Sequence, residues 1–141
     1  MNDYMVFTFH GTVKGKARPR FRSNGHAYTS PGARDYENAI RAAWQYYTGG
    51  KSFGGAPVRV VIDVMRQLPK SRPRRVITEP DIYKPDADNI AKAVLDAIQG
   101  EGGAFDDDSQ VVELRVTKHD RARNNCGQDV MCITIEKVDG V

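Results

Sequence analysis

Between Pro57 and Arg66, Val58, Val60, Ile62 and Val64 alternate with Arg59, Val61, Asp63 and Met65. A period of two over this length predicts a strand, and its apolar content places that strand in the centre of a sheet. A central strand needs neighbours, and the same alternation recurs. Met5, Phe7 and Phe9 interleave with Val6, Thr8 and His10; Val112, Leu114 and Val116 lie within Gln110 to Lys118; Met131, Ile133 and Ile135 lie within Asp129 to Val138. Ala27 to Thr29 adds a short strand. The polar stretch between the last two strands, with Asn124, Asn125 and Gly127, suits a hairpin connection.

Two segments change to the helical period. Ser30 and Pro31 provide an N-cap and a proline at the first helical position, Tyr36, Ile40, Ala43, Trp44 and Tyr47 follow at helical spacing, and Gly49-Gly50 ends the run. This aromatic stripe reads as a buried face or a dimer interface. In the second helix Ile90, Val94, Ala97 and Ile98 turn toward the sheet, whereas Asp88, Lys92 and Asp96 share another face. The order β-α-β-α-β-β predicts an α+β (mixed α/β) fold, a mixed sheet packed by two helices in one domain spanning residues 1–141. A chain of 141 residues suits one domain with a stable core. The long segment from Gln67 to Pro85 is rich in proline and charge and is expected to order on DNA.

The segment KPDADNIAKAVLDAIQGEGGAFDDDSQVVELRVTK concentrates carboxylates around the second helix of a chain whose net charge is +3. Asp86 and Asp88 stand at the helix start, and Asp106, Asp107 and Asp108 close the loop before the third long strand. Carboxylates from two segments repel unless a cation or protons neutralise them. Hard oxygen donors suit magnesium or manganese, and magnesium uses few carboxylates, so phosphate oxygens and an attacking water can take the remaining positions. Phosphodiester chemistry is the first class to consider. The plainer alternative is that Asp86 and Asp88 cap the helix and the aspartate run is a solvated loop. Lys92 likewise reads either as a helix-face partner of Asp88 or Asp96 or as a contact to a scissile phosphate.

Basic residues flank this acidic centre. Lys14, Lys16, Arg18, Arg20 and Arg22 alternate through one broken segment, which in an extended chain puts them on one side. Arg66, Lys70, Arg72, Arg74 and Arg75 form a second cluster upstream of Lys84, and Lys118 closes the third long strand. Together they suit a phosphate backbone, where contacts add salt-dependent affinity without reading sequence. Cys126 and Cys132 match no zinc spacing, and His10, His26 and His119 lie in no nucleophilic motif. The absence of a P-loop or dinucleotide fingerprint argues against a nucleotide cofactor. No apolar run approaches membrane-spanning length and no secretory leader is recognisable, which favours a cytoplasmic protein.

KPDADNIAKAVLDAI followed by DDSQVVELRVTK, with KGKARPRF and HAYTSP before it, resembles the RusA family of Holliday junction resolvases over most of the chain. The resemblance implies an endodeoxyribonuclease that uses Mg2+, with Mn2+ as a substitute, to cut a four-way junction by paired symmetrical nicks in recombination and repair. It assigns metal binding to Asp86, Asp88 and Asp108, with Asp107 as the fallback for the third, and makes Lys92 the catalytic lysine. It also implies a homodimer, in bacteria and often encoded by phage or prophage. Two other readings remain open: a non-catalytic branched-DNA-binding module, and a nuclease of flaps or forks without preference for junctions.

Overall fold

The computed structural model describes residues 3–17, 20–28 and 30–138. In chain order these form β1 (Tyr4–His10), β2 (Arg20–Phe21), β3 (Ala27–Tyr28), α1 (Pro31–Thr48), β4 (Val58–Met65), β5 (Thr78–Glu79), α2 (Ala87–Ile98), a 3-10 turn (Asp108–Gln110), β6 (Val111–Lys118), β7 (Arg121–Ala122) and β8 (Val130–Lys137). The fold is α+β, and its long elements follow the expected order. Ser30 caps α1 by accepting from the Ala33 amide at 3.3 Å, with Pro31 at the helix start. Gly49 closes α1 with φ of 69°, a left-handed conformation that glycine adopts without a Cβ penalty.

The main sheet has the order β1-β8-β4-β6. β8 runs antiparallel to both β1 and β4, whereas β6 runs parallel to β4, which requires a crossover, and α2 lies within it. The register sets Met5, Phe7 and Phe9 beside Ile135, Ile133 and Met131, and those beside Val60, Ile62 and Val64. All nine are buried, forming one apolar face with Ile40 and Trp44 of α1 and Ile90, Val94 and Ile98 of α2 in the same core. Burying each large side chain contributes roughly 1.5–3 kcal/mol relative to exposure. Trp44 completes the contact by donating its indole N–H to Met5 Sδ at 3.3 Å.

The alternation of Val112, Leu114 and Val116 does not translate directly into burial. A register shift between Val58 and Arg59 skips Val112, which is 62% exposed, and lets Val111 and Val116 both pack against the core; Leu114 pairs with the buried Val60 yet is 44% exposed, because β6 is the edge strand of the sheet. An irregularity of this kind changes which residues face inward.

The segment from Gln67 to Pro85 departs from expectation more strongly, because it is already tied to the fold without DNA. β5 pairs with β7, and Arg123 donates to the carbonyls of Val76, Arg72 and Pro73. Glu79 faces Arg72 and Arg121, and the Arg121 guanidinium lies 4.4 Å from the centroid of the Tyr83 ring. Asp81, whose side chain is fully buried, pairs with Arg66 at 3.1 Å. Two-residue strands and scattered charges have no periodicity, so only their tertiary partners reveal them.

Candidate active site

The buried face of α2 fixes where its polar residues go. With Ile90, Ala91, Ala93, Val94, Ala97 and Ile98 held in the core, Asp86, Asp88 and Lys92 are exposed. Asp86 occupies the N-cap position in extended conformation, yet its side chain makes no capping hydrogen bond. Neither Asp86 nor Asp88 is ion-paired among the described residues. Two uncommitted carboxylates at a helix start are a donor set that fits a hard divalent ion, which commonly takes one or two carboxylates from protein. Among the described residues, no three His, Cys, Asp or Glu side chains are grouped closely enough to hold an ion together.

The third acidic element has other partners. Lys92 Nζ lies 3.4 Å from Asp108 Oδ2 and 3.5 Å from Asp96 Oδ1, so it pairs with Asp96 and Asp108 rather than Asp88. Asp96, its side chain only 15% exposed, also binds Lys16 Nζ at 2.8 Å, while Lys16 reaches Glu37 at 2.7 Å. The chain Lys16–Asp96–Lys92–Asp108 therefore joins the N-terminal basic segment to the acidic loop. The field of Asp96, then the bond to Asp108, holds the Lys92 pKa above the usual lysine value. For Lys16 burial opposes the charge, but its bonds to Asp96 and Glu37 prevail and its pKa is also raised.

Asp107 is a cap. Its carboxylate accepts from the Ser109 amide at 2.9 Å, and the Ser109 hydroxyl, then this amide, lowers its pKa; Gln110 Oε1 accepts from the Asp107 amide at 3.0 Å. Gln110 also donates to the carbonyls of Gly54 and Ala56, pinning the loop beside the entry to β4. Gln99, just past α2, accepts from the Asp108 amide at 2.9 Å. Arg41 of α1 donates to the carbonyls of Ala97, Gln99 and Glu101, satisfying the end of α2. Sequence reasoning missed Gln99, Gln110 and Arg41, since their partners are backbone groups far along the chain.

β6 runs antiparallel to α2: Lys118, at its end, reaches Tyr83 and Pro85 before the helix, whereas Asp108, ahead of its start, meets Gln99 after it. This packing sets Asp108 beside the later turns of α2 rather than at the helix start, because the end of a helix meets the beginning of an antiparallel strand that follows it.

The basic residues divide into two groups. Lys16, Arg66, Arg72 and Lys118 are engaged inside the fold. Lys14, Arg22, Lys70, Arg74, Arg75 and Lys84 are exposed and not ion-paired among the described residues. Lys14 and Lys16 do share one side, but it is the side of α1, where Lys14 lies over the Tyr36 ring and Lys16 meets Glu37. Arg18 and the side chain of Arg20 lie outside what is described. Gly15 carries this basic segment against α2: an added Cβ would stand 3.0 Å from Asn89 Cβ and 3.1 Å from Pro85 Cβ, and the Lys16 amide donates to the Asn89 carbonyl.

Open carboxylates at a helix start, in a chain that also bears exposed cations without an ion-pair partner among the described residues, suit an enzyme that hydrolyses nucleic-acid phosphodiesters. The model of the endodeoxyribonuclease RusA family matches residues 10–127, and the chain belongs to that family. It is thus an endodeoxyribonuclease, a hydrolase acting on DNA, of a family whose activity is Holliday junction resolution and is divalent-metal dependent. No curated protein matches the chain at a significant level. Among the described residues no helix is long and apolar enough to cross a membrane.

Proposed function

We propose that this chain resolves four-way DNA junctions by paired, symmetrical, magnesium-dependent nicks. The observation that carries this reading is the pair Asp86 and Asp88, exposed and uncommitted at the start of α2 in an endodeoxyribonuclease. They would hold the ion, and Asp108, which is paired with Lys92 beside the later turns of α2, would leave that pair to serve as the third carboxylate. A bound magnesium or manganese ion supplies Lewis acidity toward the phosphate and lowers the pKa of the attacking water. Lys92 stabilises charge developing on the non-bridging oxygens, and Asp96 holds its ammonium on that face. Lys14, Arg22, Lys70, Arg74, Arg75 and Lys84 track the phosphate backbone. Two strands related by a two-fold axis are cut, so two copies of the chain, each with one site, match the substrate's symmetry. The protein acts in the bacterial cytoplasm, on host or phage DNA.

The test is an end-labelled synthetic four-way junction incubated with magnesium and with EDTA, beside a matched linear duplex and a flap. Symmetrical nicks confined to the junction and dependent on magnesium support the reading. Binding without cleavage in magnesium and manganese makes the protein a binding module, and equal cutting of the flap makes it a general branched-DNA nuclease.

The charge state of Lys92 gives a pH prediction. Its raised pKa keeps the ammonium protonated throughout the neutral range, since a group titrating above its ordinary value loses its proton only at higher pH. The single-turnover cleavage rate is therefore expected to show no fall due to lysine across the neutral range. A fall centred near neutrality that disappears in Lys92→Arg would show that Lys92 titrates there and would contradict the assignment.

A further inference from the structure

We infer that Lys118 is a positioning residue for Asp86, and does not contact DNA; the inference rests on the metal-binding role proposed above for Asp86. Lys118 ends β6, opposite Val64 of β4, and its side chain is only 14% exposed. Its ammonium donates to the Tyr83 carbonyl at 2.5 Å and to the Pro85 carbonyl at 3.0 Å, and lies 3.8 Å from Asp81 Oδ1. Two of the three ammonium protons are committed to these carbonyls, and the Asp81 carboxylate stands within ion-pair range of the same nitrogen. The ammonium is thus turned into the fold and leaves little surface for a phosphate approaching from solvent.

The three partners all belong to the segment that delivers the chain to α2. Asp81 is held by Arg66 as well as Lys118, and the Tyr83 ring lies under Arg121. Pro85 directly precedes Asp86, and Gly15 packs against its ring. Asp86 makes no capping bond of its own. The Lys118 contact to the Pro85 carbonyl is therefore a side-chain restraint one residue before the proposed metal-binding carboxylate, and it anchors that point to the main sheet. Partners that orient a ligand from behind typically change metal affinity or activity by 10–100-fold when removed.

Lys118→Met keeps the aliphatic stem and removes the donors. Mn2+ binding to the DNA-free protein, followed by electron paramagnetic resonance, is expected to weaken by about 10-fold or more, with faster amide exchange confined to residues 83–89. Junction affinity measured across salt concentrations in EDTA is expected to keep the wild-type slope. A phosphate-contacting lysine would instead lower that slope by about 0.9. Unchanged Mn2+ affinity, or a slope reduced by one contact, overturns the proposal. Asp86→Asn is measured in parallel: if it leaves Mn2+ binding intact, the metal reading itself has failed, whereas if it abolishes binding and Lys118→Met does not, only the positioning role has. If Lys118→Met does not fold, the Lys118 ammonium resonance of the wild-type protein decides the matter. Slow proton exchange and no shift on adding junction DNA support positioning; a shift comparable to that of an exposed lysine such as Lys70 refutes it.

Discussion

Asp88→Asn is expected to lower single-turnover cleavage of a four-way junction by about 10²–10³-fold or more while leaving junction binding intact or tighter. Asp88 is exposed in the first turn of α2 and is not ion-paired among the described residues, so its removal opens no cavity and breaks no described ion pair. What the fold loses is one favourable charge at a helix N-terminus, about 0.3–1 kcal/mol. The expected rate loss corresponds to about 2.7–4 kcal/mol of transition-state stabilisation, well beyond that structural cost. Binding is expected to hold or improve because a negative charge facing the phosphate backbone has been removed. The check is a pair of measurements on one preparation: cleavage with magnesium, and gel-shift affinity in EDTA. Joint loss of both activities would make Asp88 a structural residue.

Gly103→Ala is expected to destabilise the fold by about 3 kcal/mol or more, lowering the melting temperature by roughly 10 °C. A Cβ at this position would stand 2.3 Å from the Ile98 carbonyl oxygen and 2.9 Å from the carbonyl carbon and oxygen of Gln99. All three are backbone atoms at the end of α2, and no rotamer change moves them. The turn itself is pinned by the Gly103 amide on the Gly100 carbonyl and the Ala104 amide on the Ile98 carbonyl, with Ala104 and Phe105 fully buried. Admitting a methyl group means drawing that pair out of the core, and the same displacement moves Gln99 away from Asp108. Gly32→Ala in the first turn of α1 is the control. Nothing lies within 4 Å of its added Cβ, so the substitution is expected to be neutral or stabilising by up to about 1 kcal/mol. Thermal unfolding of the two variants side by side checks the contrast; equal effects would show that close contact at Gly103 is not the cause.

Much of the architecture was legible because its signals are local. Period-two alternation located all four long strands, Ser30-Pro31 and Gly49 marked the ends of α1, and the apolar spacing of Ile90, Val94, Ala97 and Ile98 assigned the buried face of α2. The opposite face followed by subtraction, which is why Asp88, Lys92 and Asp96 could be placed together away from the sheet from spacing alone. The partners of Lys92 could not. Spacing offered Asp88 and Asp96 equally, and the structure pairs it with Asp96 and with Asp108, sixteen residues away.

The cations show the same division. Residue type says that Lys16, Arg72 and Lys118 are positively charged, and clustering suggested a common phosphate-binding role. In the fold Lys16 meets Glu37 and Asp96, Arg72 meets Glu79, and Lys118 meets backbone carbonyls and Asp81. Arg74 and Arg75, neighbours of Arg72 in the same loop, stay exposed. A charge is a property of one residue, but its counter-charge is chosen by packing.

By itself the amino-acid sequence determined the strands, the helices, the face of α2 that bears the carboxylates and the family to which the chain belongs, since each is written in short-range spacing. Only the tertiary structure decided the sheet order, the anchoring of the segment before α2, the engagement of Asp108 with Lys92 and Gln99, and which cations lack an ion-pair partner among the described residues. These depend on contacts between distant residues, where closing a long loop carries an entropy cost that only a well-matched partner offsets.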